Sequence, residues 1–109
     1  MFDYWKEVSI MVEVEKSAIT KDRNIPIQVG CAVDTTGDIT PLWFRYEDPE
    51  DYKLCTVKIL NVLSHKEINP VGFKIIQFIC TALIDDSKRL FELRYSVGTH
   101  KWTFFQMLN

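Results

Sequence analysis

The run from Gly72 to Ile84 limits what this chain can fold into more than any other stretch. On strict alternation Ile76, Phe78, Cys80, Ala82 and Ile84 share one face, and all are apolar. Ile75, Gln77, Ile79, Thr81 and Leu83 share the other, where apolar and polar residues mix. A period of two, β-branched and aromatic enrichment and a leading glycine mark a long strand. An edge position facing water would carry a more polar second face. The pattern therefore places this strand centrally, with both sides at least partly covered.

The rest of the chain reads as strands of similar kind. Val8, Ile10, Val12 and Val14 alternate with Ser9, Met11, Glu13 and Glu15, which predicts a half-buried strand or arm within residues 1–24; Trp5, Val8, Val12 and Ile19 also fit a loose helical stripe, but the β-branched run favours the strand. Residues 25–33 form the next, with Pro26 near the start, where a missing N–H costs least. Asp34-Thr35-Thr36-Gly37-Asp38 is a turn: Asp34 can accept hydrogen bonds from the following backbone, and Gly37 can take a positive φ. A strand over 40–46 returns beside it.

Glu47, Asp48, Glu50 and Asp51 surround Pro49 as a solvated hairpin tip, and a strand over 52–63 follows. Its alternation slips near Asn61, which predicts a β-bulge. Ser64 and Glu67 have capping-box spacing, and Asn69-Pro70 stops that segment at once, so a single helical turn or a short loop is expected there. After the central strand come a tight turn at Asp85-Asp86-Ser87, a strand over 88–97, a turn at Gly98-Thr99 and a closing strand over 101–108.

About six to seven strands joined by short turns make an all-β antiparallel meander with at most one short helical turn. A sheet with two apolar faces must curl or stack, so the expected architecture is a strongly bent sheet or partly open barrel. With 109 residues and 47% hydrophobic content the chain is expected to be one domain over 1–109. A domain of this size buries about two-thirds of its unfolded surface and needs no disulfide or metal to hold it.

Cys31, Cys55 and Cys80 are widely spaced among apolar or β-branched residues and form no Cys-x-x-Cys pair. They are expected to be buried free thiols in a reducing compartment. With only His65 and His100 to complete a site, no metal and no cofactor are expected. A basic segment leading into an apolar run is absent at the N-terminus, and polar residues interrupt the longest apolar stretch, so the expectation is a cytoplasmic protein without membrane association.

The net charge of −2 speaks against a strongly basic nucleic-acid binder, although acids gather in the first half and bases in the second. Aromatic and basic residues do interleave at Trp43, Arg45, Arg94 and Trp102. Small barrels stack single-stranded bases on such rings beside cations, at about 1–3 kcal/mol per base. The competing reading keeps the tryptophans in the core and the cations at its rim. The acidic stretch at 47–51 lacks the spacing and glycine of an EF-hand loop. No Gly-x-Ser-x-Gly elbow, phosphate-cradling loop or His-Glu-x-x-His is present; His65 sits beside a capping serine and His100 beside a turn, where exposure is expected of both. The reading is a non-catalytic accessory or protein-binding module, with a single-stranded nucleic-acid-binding barrel as the alternative.

Five segments follow one another in order: Pro41-Leu42-Trp43-Phe44-Arg45-Tyr46, Val57-Lys58-Ile59-Leu60-Asn61-Val62-Leu63, Phe78-Ile79-Cys80, Arg89-Leu90-Phe91-Glu92-Leu93-Arg94-Tyr95 and His100-Lys101-Trp102. In these pieces the chain resembles small all-β bacterial proteins, mainly of Gram-positive bacteria, often encoded near Y-family, lesion-bypass DNA polymerases. The resemblance spans residues 25–107, leaves the N-terminal segment unmatched and consists mostly of strand pattern. It implies an accessory role in DNA damage tolerance.

Overall fold

The computed structural model describes residues 24–109. Six strands follow in order: β1 (Ile25–Val33), β2 (Ile39–Glu47), β3 (Leu54–Ile68), β4 (Ile75–Ile84), β5 (Ser87–Ser96) and β6 (Lys101–Met107). Each pairs antiparallel with the next, and β1 pairs with β6, so the sheet closes into a barrel. The only helical element among the described residues is a 3-10 turn at Pro70–Gly72. The strand expected around Val8 to Val14 lies outside the described residues.

The central strand is where its pattern places it, between β3 and β5. Its apolar face points into the barrel: Phe78, Cys80, Ala82 and Ile84 are buried. Phe44, Val57, Ile59, Phe91, Leu93, Trp102 and Phe104 join them from the other walls. A six-stranded lumen is narrow enough for side chains to fill, and these rings fill it. Phe44 meets Phe91 edge-on with ring centroids 5.5 Å apart and Phe104 at 5.7 Å, so β2 touches β5 and β6 across the lumen.

Closure is uneven around the wall. β4 and β5 pair along their whole length, from Ile75↔Ser96 to Ile84↔Ser87. β1 meets β6 only through Ile25↔Phe104, Pro26↔Thr103 and Ile27↔Trp102. β2 meets β3 from Glu47↔Leu54 to Trp43↔Lys58 and no further. Beyond Lys58, β3 continues for another ten residues paired with β4 alone among the described strands.

The turn at Asp34 is built as its sequence predicts. Its Oδ1 accepts hydrogen bonds from the Thr36 amide at 2.9 Å, the Thr36 hydroxyl at 2.8 Å and the Asp38 amide at 2.9 Å. Those donors hold the Asp34 carboxyl below its usual range. Gly37 takes φ 91°. The bulge expected near Asn61 is also present, between Ile59 and Asn61, and a second lies between Val62 and Ser64.

Two expectations are corrected. Residues 64–67 are neither a helical turn nor a loop; Ser64, His65, Lys66 and Glu67 pair with Ile79, Phe78, Gln77 and Ile76 as part of β3. A capping box adds a few hydrogen bonds to an isolated turn, whereas a long neighbour such as β4 offers the same backbone a continuous ladder. The helical turn forms a few residues later, once Pro70 removes a ladder donor.

The second correction concerns the thiols, since only Cys80 is fully buried. Cys55 is half-buried and Cys31 is exposed. A bulge between Gly30 and Cys31 falls where β1 has already left β6, so the end of β1 lacks a covering wall. Burial pushes the Cys80 thiol up to about 12. A thiol reagent is therefore expected to label Cys31 first, Cys55 more slowly and Cys80 only on unfolding. Mass spectrometry of timed samples checks the order, and early labelling of Cys80 would contradict the inward placement of β4.

Candidate functional site

The barrel exterior carries two different walls. On β1–β2–β3 the outward residues form cross-strand tiers. Gly30 lies opposite Trp43, which lies opposite Lys58, and Gln28 lies opposite Arg45, which lies opposite Thr56. The indole of Trp43 leans over Gly30, and a Cβ at position 30 would collide with its ring. A glycine is thus required by close approach and not by backbone dihedrals. Arg45 completes the wall: its guanidinium carbon sits 4.9 Å from the Trp43 ring centroid, and its Nε donates to Thr56 Oγ1 at 3.0 Å.

On β4–β5–β6 the outward group is organised around a carboxylate. Glu92 is only 3% exposed although it stands on the exterior face. Its Oε2 accepts from Arg94 Nε at 2.6 Å and Gln77 Nε2 at 3.0 Å, and its Oε1 from Gln106 Nε2 at 3.1 Å. Burial opposes ionisation of this group, but the three donors and the Arg94 charge prevail and hold the carboxyl below its usual range. A bulge makes the arrangement possible. Leu93 pairs with Phe104 and Glu92 with Gln106, which leaves Phe105 as the extra residue on β6. Phe105 and Gln106 then both face outward, and the Arg94 guanidinium stacks 3.5 Å from the Phe105 ring centroid.

The four residues singled out for nucleic-acid binding are accordingly separated. Trp43 and Arg45 share the β2 exterior. Arg94 stands on β5, three strands away in either direction around the barrel, and its charge is committed to Glu92. Trp102 is a core residue, 8% exposed, packed on Tyr95 at 4.9 Å and Phe78 at 5.3 Å. Alternation shows which side of a strand a ring takes, but it does not show which side is the lumen.

A feature that alternation conceals stands out on the third part of the surface. Where β2 and β3 part, three leucines are the extra residues of bulges: Leu42 on β2, and Leu60 and Leu63 on β3. They are 48%, 47% and 59% exposed. Each bulge removes its residue from the in–out rhythm, so an apolar side chain is turned to water. The signal in the sequence is the slip near Asn61, where apolar residues become consecutive.

The remaining candidates are engaged structurally. Asp48 Oδ1 accepts from the Glu50 amide and Asp51 Oδ1 from the Lys53 amide, as carboxylates in a turn do. His65 is exposed and stacks on Phe78, while exposed His100 places Nδ1 2.9 Å from the Tyr95 hydroxyl. Among the described residues no three His, Cys, Asp or Glu side chains gather as metal ligands. Likewise, among them no helix is long and apolar enough to cross a membrane.

Comparison with protein-family models, with curated proteins and with solved structures gives no match for this chain.

Proposed function

We propose that this protein is a non-catalytic binding module that recruits a protein partner along the opening between β2 and β3. The observation that carries the reading is the coincidence of exposed apolar groups with a free strand edge. Leu42, Leu60 and Leu63 are exposed beside a stretch of β3 that has a ladder partner on one side only, among the described residues. Unpaired backbone groups next to apolar side chains are what an extended segment of another protein uses to bind. Among the described residues Cys80 faces the core, His65 stands within β3 and His100 in the turn between β5 and β6, and this placement supports the non-catalytic part. The resemblance to proteins encoded near lesion-bypass polymerases extends the proposal to a cytoplasmic accessory role in DNA damage tolerance.

The test places a photoreactive residue at position 60 or 63 in living cells, with position 88 on β5 as the control. Adducts to one protein from 60 and 63 but not from 88 are expected. Adducts of equal yield and identity from all three positions would overturn the reading, as would none from any.

A second reading has its own observation. Trp43 carries the Arg45 guanidinium 4.9 Å from its ring centroid and lies opposite Lys58 in the ladder, so an aromatic ring and two cations share one exterior wall, a combination that suits single-stranded bases. A titration with mixed-sequence single strands at low salt decides it. Binding at this wall would quench Trp43 fluorescence, weaken as salt rises, and disappear in Trp43→Phe. The buried Trp102 ring would not report it. No change is expected if the partner is protein alone.

A further inference from the structure

We propose that residues 64–68 of β3 take up an extended segment of the partner, rich in alternating apolar and acidic residues, as an added strand. The proposal rests on the protein-binding reading and names the docking mode and the chemistry of what docks. Ser64, His65, Lys66, Glu67 and Ile68 pair in unbroken register with Ile79 through Ile75, past both bulges of β3. On the side away from β4 this stretch has no ladder partner among the described residues. In an antiparallel pair, backbone groups point alternately to the two neighbours, so this side presents a short regular row of donors and acceptors. Residues 64–67 are also exposed to solvent. Upstream, the bulges at Leu60 and Leu63 break the rhythm, which confines regular pairing to 64–68 and leaves two apolar contacts beside it.

Charge selects the occupant. Lys66 is exposed on this edge, and Lys58 is exposed where the last β2 pair ends. The one acid of the edge, Glu67, has Lys74 3.9 Å away. Lys66 and Lys58 therefore favour carboxylates and repel a basic strand. A second copy of this chain would bring the same cations to the same edge, and like charges directly opposite destabilise strand pairs. An acidic and apolar extended segment satisfies the backbone row, the leucines and the lysines together.

The probe is a short synthetic peptide alternating valine and glutamate, added to the whole chain. Two controls accompany it: the same peptide with lysine for glutamate, and the glutamate peptide N-methylated at alternate residues. Hydrogen exchange followed by NMR should show new protection confined to 64–68 and adjoining β3 amides. Affinity should fall about tenfold in Lys66→Glu, and neither control peptide should bind. Protection elsewhere, equal binding of the N-methylated peptide, or no binding at about millimolar peptide would each overturn the docking mode. Cross-linking from position 60 or 63 keeps the two levels apart. Adducts that persist undiminished in Lys66→Glu would end the strand-addition proposal and leave a protein partner standing, whereas their absence from the unsubstituted chain would remove the binding reading itself.

Discussion

Glu92→Gln is expected to lower stability by about 2–4 kcal/mol at neutral pH, because it replaces a buried acceptor of three hydrogen bonds. Arg94, Gln77 and Gln106 all donate to this carboxylate. A glutamine has the same shape, but it offers an NH2 group where an acceptor is needed and leaves the Arg94 charge uncompensated. The pH dependence follows from the depressed carboxyl. A group whose folded pKa lies below its unfolded value contributes stability that is complete above the unfolded value, near 4.5 for a glutamate, and is lost as pH falls through the folded one. Urea unfolding of the native chain should therefore hold steady from pH 7 to about 5 and weaken below about 4.5. In Glu92→Gln that acid limb should be shallower, and the two curves should converge as pH falls. Asp34 contributes with the same sign from its exposed turn, so some acid limb should remain. Parallel curves would mean that the buried carboxylate is not a source of the pH dependence.

Glu92 also marks where sequence reading stops. The alternation of Phe91, Leu93 and Tyr95 with Leu90, Glu92 and Arg94 separates Glu92 from the face that Phe91 and Leu93 turn into the lumen. Nothing in that pattern shows that the outward face there is closed over by glutamines from β4 and β6. That closure depends on the bulge at Phe105, which brings Gln106 outward, and a bulge is set by pairing between distant segments. The turn at 34–38 was legible because every hydrogen bond in it is local. The strand character of residues 64–67 was not, because a local capping pattern competed with a ladder to residues 76–79. The same limit applies to the binding surface. Trp43 and Trp102 look alike in a sequence, and closure of the barrel is what puts one on the wall and the other inside. The exposed leucines could be sensed only as a slip in alternation near Asn61, with no indication that Leu42 would join them from another strand.

Phe44→Ala is expected to cost about 3–5 kcal/mol, a large share of the roughly 5–15 kcal/mol that holds a typical domain folded. The ring is fully buried and touches Phe91, Phe104 and Tyr46, so its removal leaves a void lined by other rings. Where the damage appears follows from topology. β2 reaches β5 and β6 through the lumen by way of Phe44; along the wall it reaches them through β3 and β4 on one side and through β1 on the other, and the pairing of β1 with β6 is limited to residues 25–27. With the ring gone, that short seam is the least supported part of the closure. Amides of Ile25, Ile27, Trp102 and Phe104 should therefore lose hydrogen-exchange protection first, while the long β4–β5 ladder keeps its own. Phe44→Leu, which retains most of the volume, should open the seam less and cost less. Equal loss of protection in β4, β5 and the β1–β6 pair would show instead that the barrel unfolds as one unit, with Phe44 contributing to the whole and not to its closure.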